Sequence, residues 1–138
     1  LFLQVVILVM IPSLAHCEKQ QTLNDTNNLK WKNRVLLIQQ KQGDSQTLIL
    51  LKTAKQQIDE RHIIWILTHE SGTTSNYPHN ISTKLTNQIN NEHFTNKNIC
   101  AVLIGKDGHV KARYKNLDLT KIFALIDTMP MRQREMRK

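Results

Sequence analysis

The segment most informative about the fold of this chain is Leu103-Ile-Gly-Lys-Asp-Gly-His-Val-Lys-Ala-Arg113. Asp-Gly at positions 107 and 108 separates two strand-like segments, and this dipeptide is typical of a tight turn in a β-hairpin. After the turn, apolar and basic side chains alternate, which predicts a half-exposed edge strand. The alternating residues are Val110, Ala112 and Tyr114 against Lys111, Arg113 and Lys115.

An amphipathic segment over residues 119–126 follows this hairpin and predicts the last helix. Thr120 can cap its first turn, and Pro130 is expected to end it because proline interrupts a helix. The apolar residues expected to face the core are Ile122, Phe123, Leu125 and Ile126. The chain then ends in a basic tail.

Two earlier apolar runs, Val35-Leu-Leu-Ile38 and His62-Ile-Ile-Trp-Ile-Leu67, are typical of buried strands. Between them, Asp44 or Ser45 can cap a helix. The apolar face of that helix recurs at a spacing of three to four residues, at Thr47, Leu51, Ala54 and Ile58. A strand, a helix and a strand in succession predict a βαβ unit with parallel strands and a right-handed crossover.

The middle of the chain supplies the remaining elements. Residues 70–80 are expected to form a turn-rich loop, and Ile81, Leu85 and Ile89 mark a second helix. Residues 99–104 predict a third buried strand. The order βαβαββα is that of an α/β, thioredoxin-like sandwich with a four-stranded mixed sheet and helices on both faces.

The N-terminal part of the chain predicts export. Residues 1–11 are apolar except for Gln4 and are followed by small residues up to Ala15, as in a signal peptide. This run is shorter than the about 20 apolar residues of a membrane span, so no transmembrane segment is expected in the mature chain. The charged region that usually precedes such a run is missing, since the chain opens on Leu1.

The expected organisation is therefore a signal peptide over residues 1–15, a flexible polar leader over 16–29 and one domain over 30–138. An N-terminal core strand or helix is the alternative for the first segment. Leu14-Ala-His-Cys17 also resembles a lipobox, which would make Cys17 a lipid anchor, although the bulky His16 fits that motif poorly. Trp31 is expected to pack at the start of the first strand.

The net charge of +8 favours anionic partners. Anionic polysaccharide and an envelope or matrix protein are the expected classes, and export argues against nucleic acid. Solubility alone is the other explanation, with a C-terminal turn that docks its methionines and solvates its arginines. The candidate anion-binding residues are Lys106, Lys111, Arg113, Arg132, Arg134, Arg137 and Lys138.

The sequence also resembles a domain of unknown function that occurs alone in exported bacterial proteins and in animal matrix proteins. Those matrix proteins are the sushi-repeat-containing X-linked and the steroid-sensitive, coiled-coil-containing ones. The resemblance covers roughly residues 29–137 and implies a thioredoxin-like or peroxiredoxin-like fold in a periplasmic or secreted protein. It is carried by Trp31-Lys-Asn-Arg-Val-Leu36, Glu60-Arg61, Leu103-Ile-Gly-Lys-Asp-Gly108 with Lys111, Phe123-Ala-Leu-Ile-Asp127 and Met129-Pro-Met-Arg132 to Arg137.

The chemistry usual for such a fold is not expected. Thioredoxin-like redox enzymes carry a nucleophilic cysteine at the start of the first helix, where the helix dipole stabilises its thiolate. Residues 39–45 contain no cysteine, and no proline precedes the third strand at residues 96–98. Cys100 lies in an apolar run and is expected to be a small core residue, although a disulfide with Cys17 is possible.

No catalytic residue, cofactor or metal site is predicted. His62 and His69 are seven residues apart and are expected on opposite faces of their strand. Asn24 and Asn80 lie in sequons and could be glycosylated in a eukaryotic secretory pathway. The expected function is an exported, non-catalytic binding or structural module. The alternatives are a thioredoxin-fold enzyme with polar groups near Asp44 and in the loop over 70–80, or a lipid-anchored envelope protein.

Overall fold

The computed structural model of the chain describes residues 21–138, in which five segments form one mixed β-sheet. The signal peptide and both alternatives for Cys17 concern residues outside this range. The strands run in the spatial order β3-β2-β1-β4-β5, with β1 parallel to β2 and the other neighbours antiparallel. They are β1 (Arg34–Gln39), β2 (Ile63–His69), β3 (Gly72–Ser75), β4 (Ala101–Ile104) and β5 (Val110–Tyr114).

The predicted mixed α/β sheet is confirmed, but it has five strands rather than four. The additional strand, β3, lies in the segment that was expected to be a loop. It pairs with the end of β2 from His69 opposite Gly72 to Ile66 opposite Ser75. Its residues are polar and only half-buried, so no apolar alternation marks it. Threonine nevertheless favours extended backbone, and a single buried neighbour is sufficient for an edge strand.

Helices cover both faces of the sheet. They are α1 (Gln46–Thr53), α2 (Lys55–Glu60), α3 (Thr83–His93), α4 (Leu119–Asp127) and α5 (Pro130–Met136), with a 3-10 helix at Thr26–Leu29. The single helix expected after β1 is thus divided in two at Ala54, where φ is −85° and ψ is 14°. Of the four residues expected to face inward, Leu51 and Ile58 are buried, whereas Thr47 and Ala54 are half-buried, so the predicted face is confirmed in part.

Two apolar layers hold the helices to the sheet. One layer lies under α1, α2 and α4, and the other under α3 and the N-terminal segment. The first contains Leu36, Ile38, Leu51, Ile58, Trp65, Leu103, Ile122, Phe123 and Ile126, and the second Leu23, Val35, Leu37, Ile66, Leu85, Ile89, Phe94 and Val102. Leu125 was expected in the core but is 36% exposed, since it lies on the outer side of α4.

Carboxylates cap two of the helices: Asp44, one of the two expected caps, at α1, and Asp118, in place of the expected Thr120, at α4. The Asp44 Oδ1 atom accepts hydrogen bonds from the backbone N–H groups of Gln46 and Thr47, whereas Ser45 makes no capping bond. The Asp118 Oδ1 atom accepts one from Lys121 N, so Asp118 and not Thr120 caps α4. Aspartate satisfies free N–H groups and also favours the positive end of the helix dipole.

The proline in the tail begins a helix as well as following one. α4 ends at Asp127, and Met129 is extended at φ −73° and ψ 141°, as the residue before a proline prefers. Pro130 then occupies the first turn of α5, where its missing N–H leaves no partner unsatisfied. The basic tail is therefore helical, which the sequence analysis did not predict.

The expected flexible leader over 16–29 is wrong for the residues that the structure describes. Leu23 is 1% exposed and Leu29 is 6% exposed. Leu23 N donates to Asn80 O at 2.8 Å, and Leu23 O accepts from Ser82 N at 3.0 Å, which pairs this segment with the start of α3. Two buried leucines in a polar stretch anchor residues 21–29 to the second apolar layer, so the domain begins before residue 30.

The predicted hairpin turn between β4 and β5 is confirmed. Gly108 has φ +83°, a left-handed conformation that favours glycine, and its N–H donates to Gly105 O at 3.0 Å. A β-carbon at position 105 would lie 2.5 Å from Lys111 Cε, because the Lys111 side chain crosses that backbone. The Lys111 ammonium ends there in an ion pair, 2.6 Å from Asp107 Oδ2.

Candidate functional site

One end of the sheet collects most of the motifs that the sequence analysis singled out. We call it the basal end, where β1 and β2 begin and β4 stops. Arg34 is the first residue of β1, His62 precedes β2, and Lys106 follows β4. These residues meet there because β1 and β2 are parallel, whereas β4 runs antiparallel to β1. Helix α5 reaches the same place through its Glu135 side chain.

Glu135 is the centre of the first ion cluster. Its carboxylate lies 3.1 Å from Arg34 Nη1 and 2.5 Å from Lys106 Nζ. The Arg34 side chain is 1% exposed and also donates to Arg61 O at 2.8 Å. Burial of the Glu135 carboxyl opposes its ionisation, but the hydrogen bonds and charges of Lys106 and Arg34 outweigh that effect and lower its pKa.

His62 extends this cluster toward solvent. Lys106 Nζ donates to His62 Nδ1 at 2.8 Å, which places the ring proton on Nε2. Partial burial and the neighbouring Lys106 charge lower the pKa of His62, so its imidazole is neutral at neutral pH. Its side chain remains 47% exposed.

Asp127 is the centre of a second ion cluster on the α4 side of the same end. It accepts 3.0 Å hydrogen bonds from Arg61 Nε and Arg132 Nε and a 2.7 Å bond from Arg61 Nη2. Arg132 Nη1 also donates to Glu60 O at 2.8 Å, and the Arg61 guanidinium lies 4.6 Å from the Phe123 ring centroid. The hydrogen bonds from Arg61 and then Arg132 lower the pKa of Asp127 despite its partial burial.

The two non-glycine residues with left-handed backbone in the described chain both lie at the basal end. Trp31 has φ +66° and His62 has φ +52°. Lys106 connects them, because its carbonyl accepts from Trp31 N at 2.7 Å while its ammonium donates to His62. The expectation that Trp31 packs at the start of β1 is wrong, since its side chain is 63% exposed. Such conformations are costly for large residues and concentrate at functional sites.

The structure separates the seven candidate anion-binding residues into two groups. Lys106 and Arg132 are both 8% exposed and Lys111 is held by Asp107, so these three already have carboxylate partners. The other four are exposed and form no ion pair with another described residue: Arg113, Arg134, Arg137 and Lys138. Three of these four belong to α5 or follow it, and Arg113 lies on β5.

The opposite end of the sheet, which we call the apical end, is where the redox enzymes of such folds carry their cysteine. Here Asp44 occupies the turn before α1 and caps it. An open cleft of about 590 Å³ lies beside it, lined by polar and apolar side chains that include Lys41, Thr47, Ile49, Leu50, Cys100 and Lys115. This cleft has the volume of a small-molecule site, but the start of α1 carries no cysteine.

Cys100 lies at this cleft rather than inside a strand. It directly precedes β4, and its backbone pairs with Gln39 N at 2.9 Å and Tyr114 O at 2.8 Å. Its side chain is half-buried and packs against the first apolar layer. Burial raises the pKa of the Cys100 thiol above its ordinary value, which keeps it protonated at neutral pH. The expectation of a core cysteine therefore holds only in part.

The other expected site residues lie apart from both ends or apart from each other. His62 precedes β2 and His69 ends it, so these two histidines are a full strand apart. Asn24 and Asn80 are both exposed, and the Leu23–Ile81 bridge places the two sequons next to each other. Glycosylation at these positions stays a prediction.

Sequence reasoning missed Glu135, Trp31 and His62 as members of the basal end. The acidic residue in an otherwise basic tail was the available signal for Glu135. Its main partner, Arg34, lies 101 residues earlier, so no local pattern connects them. The motifs that carried the family resemblance contain nearly every member of the two clusters, including Arg34, Arg61, Lys106, Asp127, Arg132 and Glu135, and also contain Trp31.

Comparison with known proteins identifies the family and the fold. The family model of the domain of unknown function DUF4174 matches residues 25–135, and the chain belongs to this family. Thioredoxin peroxidase I of Plasmodium yoelii has a similar structure, with a TM-score of 0.55 and 20% sequence identity over 78% of this chain and 79% of that one. This likeness shows the thioredoxin-like, peroxiredoxin-like fold. A search among curated proteins finds no significant match.

Within residues 21–138, no helix has both the length and the apolar character needed to cross a membrane.

Proposed function

We propose that this member of the DUF4174 family is an exported, non-catalytic binding module for an anionic polymer, such as a polysaccharide of the envelope or matrix. The observation that carries the proposal is the excess of positive charge at the basal end. The two clusters pair four cations, Arg34, Lys106, Arg61 and Arg132, with only two carboxylates. Additional exposed cations on α5 and after it surround them.

The arrangement favours binding over catalysis. The paired cations are held in place by backbone carbonyls and carboxylates, so they fix α5 against the sheet. The exposed Arg134 is then presented on a fixed helix, with Arg137 and Lys138 directly after it, which reduces the ordering cost of binding. At the apical end, a protonated Cys100 and a capping Asp44 provide no activated nucleophile of the kind that thiol chemistry requires.

Export is part of this proposal and is supported by the apolar run over residues 1–11 and the small residues that follow it. Mass spectrometry of the N-terminus of the protein recovered outside the cytoplasm tests it. Cleavage after Ala15 supports a secreted or periplasmic module, and a diacylated Cys17 would instead identify the lipid-anchored alternative. Recovery of uncleaved protein in the cytoplasm would contradict export.

The binding proposal is tested by replacing Arg134, Arg137 and Lys138 together with glutamine. We expect the variant to elute from a sulfated-polysaccharide column at clearly lower salt, because exposed charges act only within about 8–10 Å at ordinary ionic strength. Stability should change by less than about 0.5 kcal/mol, as is usual for surface substitutions. Arg132 is left unchanged, since it is buried against Asp127 and Glu60.

The matched control replaces three exposed lysines with glutamine: Lys52 on α1, Lys84 on α3 and Lys97 in the turn after α3. It removes the same charge from elsewhere and should lower the eluting salt much less. An equal effect of both variants would show that net charge alone causes retention. Failure of the unchanged protein to bind the column would contradict the proposal.

A further inference from the structure

We infer that Trp31 is a stacking platform for a sugar ring of an anionic polysaccharide, with Lys30 and Lys32 beside it as partners for the sulfate or carboxylate groups. This inference rests on the proposed function and specifies the chemistry of the ligand. By this inference the basal end recognises the sugar ring itself, through Trp31, in addition to attracting its negative charges. The exposed indole is the observation from which it starts.

The indole is held outward by the backbone. Trp31 lies between a 3-10 helix and β1, and its side chain is 63% exposed although tryptophan buries a large apolar area when it can. Its left-handed backbone, at φ +66°, is uncommon for a residue with a large side chain. The hydrogen bond from Trp31 N to Lys106 O, at 2.7 Å, fixes that conformation. The fold therefore stabilises an exposed ring at a position where packing would be expected.

Lys106, whose carbonyl oxygen accepts the hydrogen bond from Trp31 N, is itself held in place. Lys106 is 8% exposed, and its ammonium is fixed by Glu135 and His62. His62 is the other left-handed non-glycine residue of the described chain, and it too keeps an exposed ring. Two unfavourable backbone conformations thus converge on one buried ion cluster. Strain of this kind persists only where the surroundings impose it, and it concentrates at ligand sites.

The surroundings of the ring favour a sugar over other partners. Lys30 Nζ lies 5.8 Å from the Trp31 ring centroid, and Lys32 follows the ring in the chain, both with exposed side chains. The neighbouring exposed residues of this segment are polar, including Asn27 and Asn28. A pyranose presents a face of C–H groups that packs on an indole, while its anionic substituents reach the lysines. A membrane or a protein interface would favour a wider apolar patch than one ring.

The test uses the tryptophan fluorescence of the full chain, which contains two tryptophans. Trp65 is 5% exposed in the core, so acrylamide quenches mainly Trp31. We expect a heparin-derived oligosaccharide to shift the emission and to protect Trp31 from acrylamide. Inorganic polyphosphate of equal charge should bind through the cations and leave the quenching unchanged. The Trp65→Phe variant, if folded, isolates the Trp31 signal.

Affinity measurements with variants complete the test. Trp31→Asn removes the ring and keeps a residue that tolerates left-handed backbone, and it should weaken binding of the oligosaccharide by about fivefold to tenfold, consistent with the energy of one aromatic contact. Its affinity for polyphosphate should change less than about twofold, and Trp31→Tyr should restore most of the oligosaccharide affinity. Ile49→Ala, which removes another exposed apolar side chain, should have no effect on either ligand.

The outcomes distinguish this inference from the proposed function. If both polymers bind and Trp31→Asn affects neither, the basal end binds charge alone and the sugar-stacking inference is wrong. If neither polymer binds, the proposed function fails as well. Protection of Trp31 by phosphatidylserine vesicles but not by the oligosaccharide would overturn the inference in favour of a membrane surface.

Discussion

The basal and apical ends of the sheet use their polar residues in opposite ways. At the basal end, Arg34 is 1% exposed and ionic contacts connect β1, the turn after β4 and α5. At the apical end, Asp44 caps one helix locally, and Lys41 and Lys115 border an open cleft without an ion pair to another described residue. In thioredoxin-like redox enzymes the apical end carries the chemistry. In this chain, the specific, long-range polar structure lies at the opposite end.

A fold and the site that is usual for it can therefore be separated. The structure is similar to that of the thioredoxin peroxidase neighbour, with a TM-score of 0.55, whereas the start of α1 carries a capping aspartate and no cysteine. Buried ion pairs contribute little net stability, because the cost of removing both ions from water offsets their attraction. We therefore expect the main effect of these pairs to be geometric, since their contacts connect α5 with β1 and with Lys106, whose carbonyl accepts from Trp31 N.

The largest predicted loss of stability comes from disrupting the Glu135 ion cluster at the basal end. Glu135→Gln removes the charge that Arg34 and Lys106 share, and leaves the buried Arg34 guanidinium uncompensated. We expect a loss of about 3 kcal/mol in the free energy of unfolding, at the lower limit for breaking a buried pair because Glu135 keeps some exposure. Urea denaturation measures it. The control is Asp59→Asn, whose ion pair with Lys55 is exposed and should be worth less than about 1 kcal/mol.

The stability of the Glu135→Gln variant should also differ from that of the unchanged protein in its dependence on pH. The pKa of Glu135 is lowered in the folded state, so its stabilising effect is fully present above the ordinary value of 4.5 and is lost as pH falls through the lowered value. The unchanged protein should therefore lose stability more steeply below pH 4.5 than Glu135→Gln does. Parallel curves for the two proteins would show that Glu135 is not coupled to the basal cations.

The next largest effect is the loss of stability when a glycine with left-handed backbone is replaced by alanine, compared between one glycine at each end of the sheet. Gly108 at the basal turn and Gly43 before α1 both have left-handed backbone, at φ +83° and +77°. Alanine in this conformation costs roughly 1–2 kcal/mol at either position. A β-carbon at 108 would also lie 3.2 Å from Lys30 Cε, whereas at 43 nothing lies within 4 Å. Gly108→Ala should therefore have the lower denaturation midpoint of the two variants, and a larger effect of Gly43→Ala would contradict the crowding at the basal turn.

Local patterns explain most of the fold that could be predicted. Alternation and apolar runs located β1, β2, β4 and β5, and the spacing of Leu85 and Ile89 located α3. The strand β3 was missed because its threonines and serine carry no apolar alternation. Pro130 was interpreted only as a helix end because proline interrupts a helix, but proline is also the first residue of many helices, and here it follows α4 and begins α5. Leu23 was missed because one apolar residue in a polar segment defines no period.

Most of the candidate site could not be predicted for a different reason. The basicity of the tail was evident, but whether an arginine is paired or exposed depends on residues distant in the chain. Arg132 lies near Asp127 in sequence but also bonds to Glu60 O, and Arg34 finds Glu135 at the other terminus. The exposure of Trp31 follows from a backbone conformation that its residue type disfavours, so residue preferences predicted the opposite.

The smallest predicted effect on stability is that of replacing Cys100 at the apical end. The reactivity of the same residue tests whether that end supports thiol chemistry. Cys100→Ala removes a half-buried side chain and should cost about 1 kcal/mol or less, below the range for fully buried core residues. Because burial raises the pKa of the thiol, iodoacetamide should modify native Cys100 more slowly at neutral pH than the same cysteine in urea, and faster as pH rises.

Thiol-reductase and peroxidase assays of the unchanged protein should give no activity above that of Cys100→Ala. Rapid labelling in the native state would mean that Lys41 and the helix start activate Cys100 after all. The apical cleft would then have to be regarded as a second functional site.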